Sequence, residues 1–392
     1  MARRRMFFDD MNCIDAARLR LRNTYDQFDT VVYQFSGGKD STAILHLGRE
    51  IHEERDLGPL NVVFRDEEFL SPSTVKFVEE VSEYDWVDME WYCLPQAQEM
   101  WFVGKRMFIL MWSQLRAEEG RLFRTPPAQA LTAEYFGLDS NRVIPRHIDE
   151  YTMHNKKGRV AYITGVRASE SMIRHRAVVQ KLHENYINRP YGLPKAMPMR
   201  FSKVIYDWQS DDVYKFLEEK DAPYCEFYDL ASMSGANQRV GTPLNPTASR
   251  RLMDVVRTEP EFYDRLVECF PSLDAQRRLW HELDTERMVE NYAAEEWEGA
   301  RRLIDENVLT NGLRRKAMGF VHKYKKKHEK DPYGYPVDHL IRTLLLSSLS
   351  YDPSPVGPRT RADTVRRQKA LDDEAANSLD AQDDFKDVET EL

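Results

Sequence analysis

The sequence predicts an α/β protein: a three-layer α/β/α sandwich on a mainly parallel sheet, with a helical region following it. Two observations carry that expectation. At least four apolar runs of strand length alternate with helical patterns through the first half of the chain. The first of them, Val31-Val32-Tyr33-Gln34-Phe35, leads straight into Ser36-Gly37-Gly38-Lys39-Asp40-Ser41 and then Thr42-Ala43-Ile44-Leu45. That order is strand, glycine turn, helix.

The turn is built to hold an anion. Two glycines let the backbone bend sharply and come close to a ligand. The unpaired N–H groups of a helix start and the positive end of its dipole face the same spot. Phosphate suits such a place best. Lys39 adds a full charge, and the Ser36, Ser41 and Thr42 hydroxyls add donors. It is not a Walker A loop, which requires a glycine where Tyr33 stands and Ser or Thr where Asp40 stands.

A chain of 392 residues, 42% hydrophobic, can hold one large domain or two ordinary ones. No apolar run reaches the roughly 18 residues of a membrane span. The opening stretch is basic without an apolar segment or cleavage site behind it, so a cytoplasmic protein is expected, with no membrane partner. The cysteines, Cys13, Cys93, Cys225 and Cys269, are scattered without a Cys-x-x-Cys pair, and neither a zinc ribbon nor an iron–sulfur cluster is expected. A net charge of −9 argues against a basic coat over the whole surface.

In chain order, residues 14–25 carry apolar positions among arginines at helical spacing, giving an N-terminal helix within 1–28. A nucleotide-binding domain is expected over 29–246. In it, Asn61-Val62-Val63-Phe64-Arg65 reads as a second strand, with Asp66-Glu67-Glu68 at its end. In an open parallel sheet, ligands bind beyond the carboxyl ends of strands. These acids are therefore placed either on a ribose or magnesium ion, Asp66 first among them, or, as Asp66 and Glu67, at the cap of the helix that Ser71-Pro72-Ser73 starts. Residues 87–92 alternate as a third strand. Residues 100–115, rich in Met, Trp and Phe, read as a core or partner-facing helix. Residues 120–157 are polar and irregular, as in an insertion over one face. Val160–Thr164 forms a fourth strand ending in Gly165-Val166-Arg167-Ala168-Ser169-Glu170-Ser171 and then Arg174. Arginines there suit a bidentate grip on phosphate or sulfate, with Glu170 orienting Arg174 across one helical turn. Residues 203–206 read as a short strand before a helix capped by Ser210. Arg239 precedes a Val240-Gly241-Thr242-Pro243 turn.

From 247 to 350 the pattern is helical. It contains the strongest basic concentration of the chain, Arg314, Arg315, Lys316, Lys323, Lys325, Lys326 and Lys327, with Tyr324 among them. This is a solvated helix face or a contact for a nucleic-acid backbone. Residues 351–392 read as a disordered acidic tail.

The 36–41 loop resembles the PP-loop of the ATP pyrophosphatase superfamily, and further motifs follow in order. Gly165-x-Arg167-x-x-Glu170-Ser171-x-x-Arg174 looks like a signature of the phosphoadenosine phosphosulfate (PAPS) reductases. The segments Ile205-Tyr206-Asp207-Trp208 with Asp211-Asp212-Val213, and Tyr228-Asp229, are similar to later motifs of that family. The resemblance implies an adenine nucleotide alpha hydrolase-like fold. The Arg239–Leu244 turn looks like the PAPS sulfotransferase-like branch, which implies a ParB/sulfiredoxin-like partner protein. One departure is plain. The reductases use a cysteine near the C-terminus as nucleophile, and Cys225 and Cys269 do not sit in that setting; the cluster cysteines of other members are missing too.

Two functions follow as expectations. In the first, an enzyme binds ATP, or PAPS as the rival ligand, on Ser36, Gly37, Gly38, Lys39, Asp40, Ser41 and Thr42, with Asp66, Gly165, Arg167, Glu170 and Arg239 completing the nucleotide site. Magnesium would bridge the phosphates near Asp40 or Asp66. Lys39, Asp40, Arg167 and Arg174 would carry catalysis, cleaving the α–β bond to adenylylate an acceptor. In the second, a nucleotide sensor regulates a partner or DNA through the basic segment. The enzyme is preferred, and a homo-oligomer is left open.

Overall fold

The structure is a computed structural model that describes residues 11–102, 105–138, 148–170, 174–175, 186–189, 197–236, 240–244, 252–279, 285–346, 349, 353–357, 360–363, 365–366 and 369. Arg239 and the 371–392 acidic stretch lie outside the described residues, as does most of the segment after Arg174. The chain divides into two compact units. One is made of residues 1–100 and 108–279, the other of residues 101–107 and 280–392. The division therefore falls between Leu279 and Trp280 rather than at 246/247.

Unit 1 holds a seven-stranded sheet of order β6-β3-β2-β1-β7-β9-β8. Its central strands are β1 (Thr30–Phe35), β2 (Leu60–Arg65), β3 (Val87–Cys93) and β7 (Val160–Ile163), all parallel to their neighbours. β6 (Leu131–Thr132) and β9 (Met199–Ser202) extend it in parallel, and β8 (Ile187–Asn188) closes one edge antiparallel. The expected three-layer sandwich with a mainly parallel sheet is what the chain forms. β1 and β7 are buried almost throughout, as parallel strands covered on both faces must be. Val32, Val63, Tyr92, Val160, Tyr162 and Met199 make one core cluster across it.

Helix α1 (Cys13–Gln27) starts where the Asn12 side chain accepts from the Asp15 amide at 2.9 Å. It buries Ala17, Leu21 and, unusually, Arg20. The Arg20 guanidinium makes a two-point bond to Asp207 at 3.0 and 2.6 Å and also donates to the Val204 carbonyl at 2.9 Å. Helix α2 (Lys39–Arg55) packs so close to β1 that a Cβ on Gly48 would fall 2.5 Å from the Tyr33 ring. On the same helix, burial of His46, with Arg49 and Lys220 nearby, lowers its imidazole pKa to about 4. A histidine kept neutral in the fold contributes stability above its ordinary pKa and loses it as pH falls from about 6.5 toward 4. His46→Gln is expected to flatten that acid limb, removing on the order of 2 kcal/mol of pH dependence, read by urea titrations at pH 7 and pH 4.5. An unchanged limb would assign acid sensitivity to other groups.

Four local expectations are corrected. Residues 100–115 are not a helix: β4 (Gln96–Phe102) and β5 (Lys105–Met111) form a two-stranded sheet. The Met-, Trp- and Phe-rich run carries no clear period to separate the two states. Residues 203–206 are a turn, with bonds from Tyr206 N to Lys203 O and from Trp208 N to Ile205 O; the strand is the preceding 199–202. The following helix is capped by Gln209 with Asp212, not by Ser210. The polar 120–157 segment supplies β6, so it is part of the sheet as well as an insertion.

Unit 2 is helical, with helices at Thr285–Ala293, Glu296–Asn307, Asn311–His328 and Val337–Leu346. The Asn311–His328 helix buries Leu313, Ala317, Phe320, Val321 and Tyr324, a spacing of three and four that turns its basic positions outward. Among the described residues, no helix is long and apolar enough to cross a membrane.

Candidate functional site

Strand order changes direction at β1. The chain steps outward through β2, β3 and β6, then returns to β7 on the other side of β1. Such a switch point opens a crevice beyond the strand ends. Here it is a cleft of about 640 Å³ lined by the ends of β1, β2 and β7, the 36–41 loop, Tyr228 and Val240.

The loop is shaped by its glycines. Gly37 has φ +73°, and a Cβ on it would lie 2.8 Å from Thr74 Cγ2. Gly38 is the helix cap, and its carbonyl accepts from Ser41 Oγ at 2.7 Å and Thr42 Oγ1 at 3.1 Å. Gly165, across the crevice, would bring a Cβ within 2.9 Å of the Asp40 backbone. Of the expected residues, Ser36, Gly38, Lys39, Asp40, Ser41, Gly165, Arg167, Glu170 and Arg174 line the cleft. Gly37 and Thr42 shape the loop from behind.

The charged residues form one alternating chain. Lys39 Nζ lies 3.2 Å from Asp40 Oδ2, and Asp40 Oδ1 lies 2.6 Å from Arg167 Nε. Arg167 is 3.6 Å from Glu170, which pairs with Arg174 as the spacing predicted. Three cations alternate with two carboxylates along one wall of the cleft. Lys39 is buried, its ammonium 5.5 Å from the Tyr214 ring centre and 5.8 Å from that of Tyr228. Burial lowers its pKa despite Asp40, and the Lys39 amide donates to the Tyr228 hydroxyl at 3.1 Å. Tyr228 stood in a recognised motif; Tyr214 carried no signal in the sequence.

The acidic turn after β2 corrects the expectation for Asp66. Its carboxylate points into the scaffold, accepting from Trp91 Nε1 at 2.8 Å and the Glu68 amide at 2.9 Å, and pairing with Arg124. Glu68 likewise takes both Arg116 N–H groups at 2.9 and 2.7 Å and the amides of Trp112 and Phe123. Glu67, between them, lines the cleft instead. Asp66 is thus engaged by Arg124, and Asp40 by Lys39 and Arg167. Among the described residues, no three His, Cys, Asp or Glu side chains converge as metal ligands.

The floor of the cleft is the sheet itself. Gln34 is in register with Val63, and extending the β1–β7 register by one residue sets Thr164 beside Gln34. Two residues onward in each segment come Arg65 at the end of β2, and Ser36 and Val166 just past the ends of β1 and β7. All six line the cleft. Three of their buried polar atoms, Gln34 Nε2, Arg65 Nε and Thr164 Oγ1, have no hydrogen-bond partner among the described residues.

The four cysteines carry free thiols. Burial raises the pKa of each, that of Cys13 to about 11, and Cys93 and Cys225 are buried outright.

The basic segment is partly committed to its own unit. Arg314 donates to the carbonyls of Val308 and Asp305, Lys327 to that of Pro353, and Lys325 lies over the Trp297 ring at 5.5 Å. Arg315, His322, Lys323 and Lys326 are exposed.

A family model, the phosphoadenosine phosphosulfate reductase domain, matches residues 30–266. The uncharacterized protein YbdN of Escherichia coli (strain K12) is 26% identical over 268 residues, 64% of this chain, and the match spans 63% of its length. The phosphate complex of the Candida auris PAPS reductase superposes with TM-score 0.36 at 14% identity, covering 58% of this chain and 87% of that one. Candida glabrata FMN adenylyltransferase with FMN and an ATP analogue gives 0.35 at 16% identity, covering 56% and 60%. The U34-tRNA thiolase NcsA of Methanococcus maripaludis gives 0.30 at 14%, covering 69% and 79%. With the family model spanning more than half of the sequence, the chain belongs to the phosphoadenosine phosphosulfate reductase domain family.

Proposed function

We propose that the protein binds ATP with its phosphates on the 36–41 loop and cleaves the α–β bond to adenylylate an acceptor. The observation that carries this reading is the alternating Lys39–Asp40–Arg167–Glu170–Arg174 chain beside a glycine-shaped helix start. An acceptor oxygen attacks the α-phosphorus, and the bridging oxygen leaves with pyrophosphate. Negative charge grows on the leaving group, where Lys39, Arg167 and Arg174 stand as preorganised cations. The raised thiol pKa values speak against reductive chemistry on a sulfonucleotide, although PAPS could occupy the same loop through its sulfate. The test is incubation with α-labelled ATP, resolving AMP, adenylylated product and ADP. AMP or an adenylylated species supports the reading; release of ADP alone sinks it.

A second reading is a nucleotide-responsive regulator acting on nucleic acid, favoured by the exposed Arg315, His322 and Lys326 on one helix face. Each phosphate contact releases about one counterion, so affinity for a DNA duplex is expected to fall steeply with salt. Charge reversal at Arg315, Lys323 and Lys326 should cut that affinity at least about tenfold and flatten the slope; an unchanged salt slope excludes this face.

A further inference from the structure

Residues 371–392 and the Asn311–His328 helix carry opposite charges that the cleft does not use. The 371–392 stretch has nine Asp or Glu against one Lys, so it holds a net −8 of the chain's −9. The helix has no Asp or Glu among its Lys and Arg residues. Lys323 with Lys326 and Lys327, three and four positions apart, repel one another, and no acid on the same helix offsets them.

Burial of the opposite side leaves Arg315, His322 and Lys326 in one exposed row, with Lys323 and Lys325 flanking it. Arg315 and Lys326 pair with no carboxylate among the described residues. Gly319 sits in the middle of the row, and a Cβ on it would meet nothing within 4 Å. A glycine inside a helix costs about 1 kcal/mol relative to alanine, and here no contact or backbone angle requires one. What it provides is room for another chain to lie close.

The nearest source of such a chain is this one. Lys327 Nζ donates to the Pro353 carbonyl at 2.7 Å, the Val356 amide donates to the Gly334 carbonyl at 2.8 Å, and Arg361 pairs with Asp331 at 3.0 Å. The chain is thus pinned beside the C-terminal end of the basic helix shortly before the acidic stretch begins. That stretch spans up to about 70 Å when extended, against about 27 Å for the helix, so its acids reach the whole row. A tether this short sets an effective concentration on the order of 1 mM.

We propose that residues 371–392 dock along the Arg315–Lys326 face of the helix, an acidic cover supplied by the chain itself. The contact is electrostatic and weakens with salt. Any other polyanion, nucleic acid included, must displace this cover first. The docking stands whether or not nucleic acid is a ligand.

The test is zero-length carbodiimide cross-linking of the full chain at about 0.05 M and about 1 M salt, read by mass spectrometry on mixed light and heavy protein. Cross-links from 371–392 carboxylates to Lys323, Lys325 or Lys326 of the same copy are expected at low salt. They should fall at least about tenfold at high salt, where the screening length is about 3 Å. Arg315→Glu with Lys326→Glu should lower the remaining cross-links to Lys323 and Lys325 toward that high-salt level. Replacing each Asp of the stretch by Asn and each Glu by Gln should raise affinity for a DNA duplex at least about tenfold. That factor is the ratio of about 1 mM effective concentration to a non-specific affinity on the order of 0.1 mM. Absent cross-links, or ones that join different copies or persist at high salt, overturn the docking. Equal duplex affinity of the charged and neutral forms also overturns it and returns the face to nucleic acid. If neither form binds the duplex, the nucleic-acid reading falls and the cross-links alone decide the docking.

Discussion

Lys39→Ala is expected to abolish formation of AMP or adenylylated product from ATP, with a loss of at least about 10²–10³ in rate, the effect of removing one preorganised charge from a transition state. Lys39 is 4% exposed, and its ammonium is boxed by Asp40, Tyr214 and Tyr228. Its position is therefore fixed before any ligand arrives. The fold should survive the change, because burial already works against the charged form of this lysine. The thermal midpoint is expected to stay the same or rise while turnover vanishes. Lys39→Arg should not rescue, since a planar fork cannot replace a compact ammonium between two rings. Wild-type-like product release by Lys39→Ala would remove this residue from the mechanism.

The second large effect concerns stability. Asp207→Ala is expected to destabilise unit 1 by about 3–5 kcal/mol, because it removes the carboxylate that holds the buried Arg20 guanidinium at two points. Both side chains are almost fully shielded, at 5% and 0% exposure, and Tyr206 stacks on Arg20 at 4.5 Å. The pair ties α1 to the turn that precedes the Gln209-capped helix. A chain of two units need not unfold in one transition, so amide exchange across residues 13–27 is the proper readout. Adding Arg20→Met to Asp207→Ala should recover much of the loss, since the penalty lies in the orphaned charge. No recovery would mean that the pair is worth more than its desolvation.

The fold and the glycine loop at the cleft were legible for one reason: both are local. The Ser36–Ser41 signal lies in six consecutive residues, and the central strands are unbroken apolar runs. The rest of the cleft lining was not. Which of three adjacent acids faces the cleft depends on a backbone turn at Glu68 and on Arg116 and Arg124, 48 and 58 residues further along the chain. Gln34 and Thr164 join one row only through strand pairing, so neither carries a motif. The β4–β5 pair carries no strand signature because its Met, Trp and Phe residues follow no period of two.

Residues 101–107 belong with unit 2 although the chain does not return to that unit until residue 280. Lys105 Nζ bonds Asn307 Oδ1 at 3.1 Å across a separation of 202 residues, and the Leu309 amide donates to the Arg106 carbonyl at 2.8 Å. During synthesis the ribosome makes these seven residues long before the helices that complete them. At about 5–20 residues per second, Trp101 and Met107 wait on the order of ten seconds or more in an emerging chain. The sheet-containing unit can close first, but the helical unit can only finish after release of its last helix. Gene fusions or exchanges that cut at the 279/280 boundary would separate the helical unit from a piece of itself.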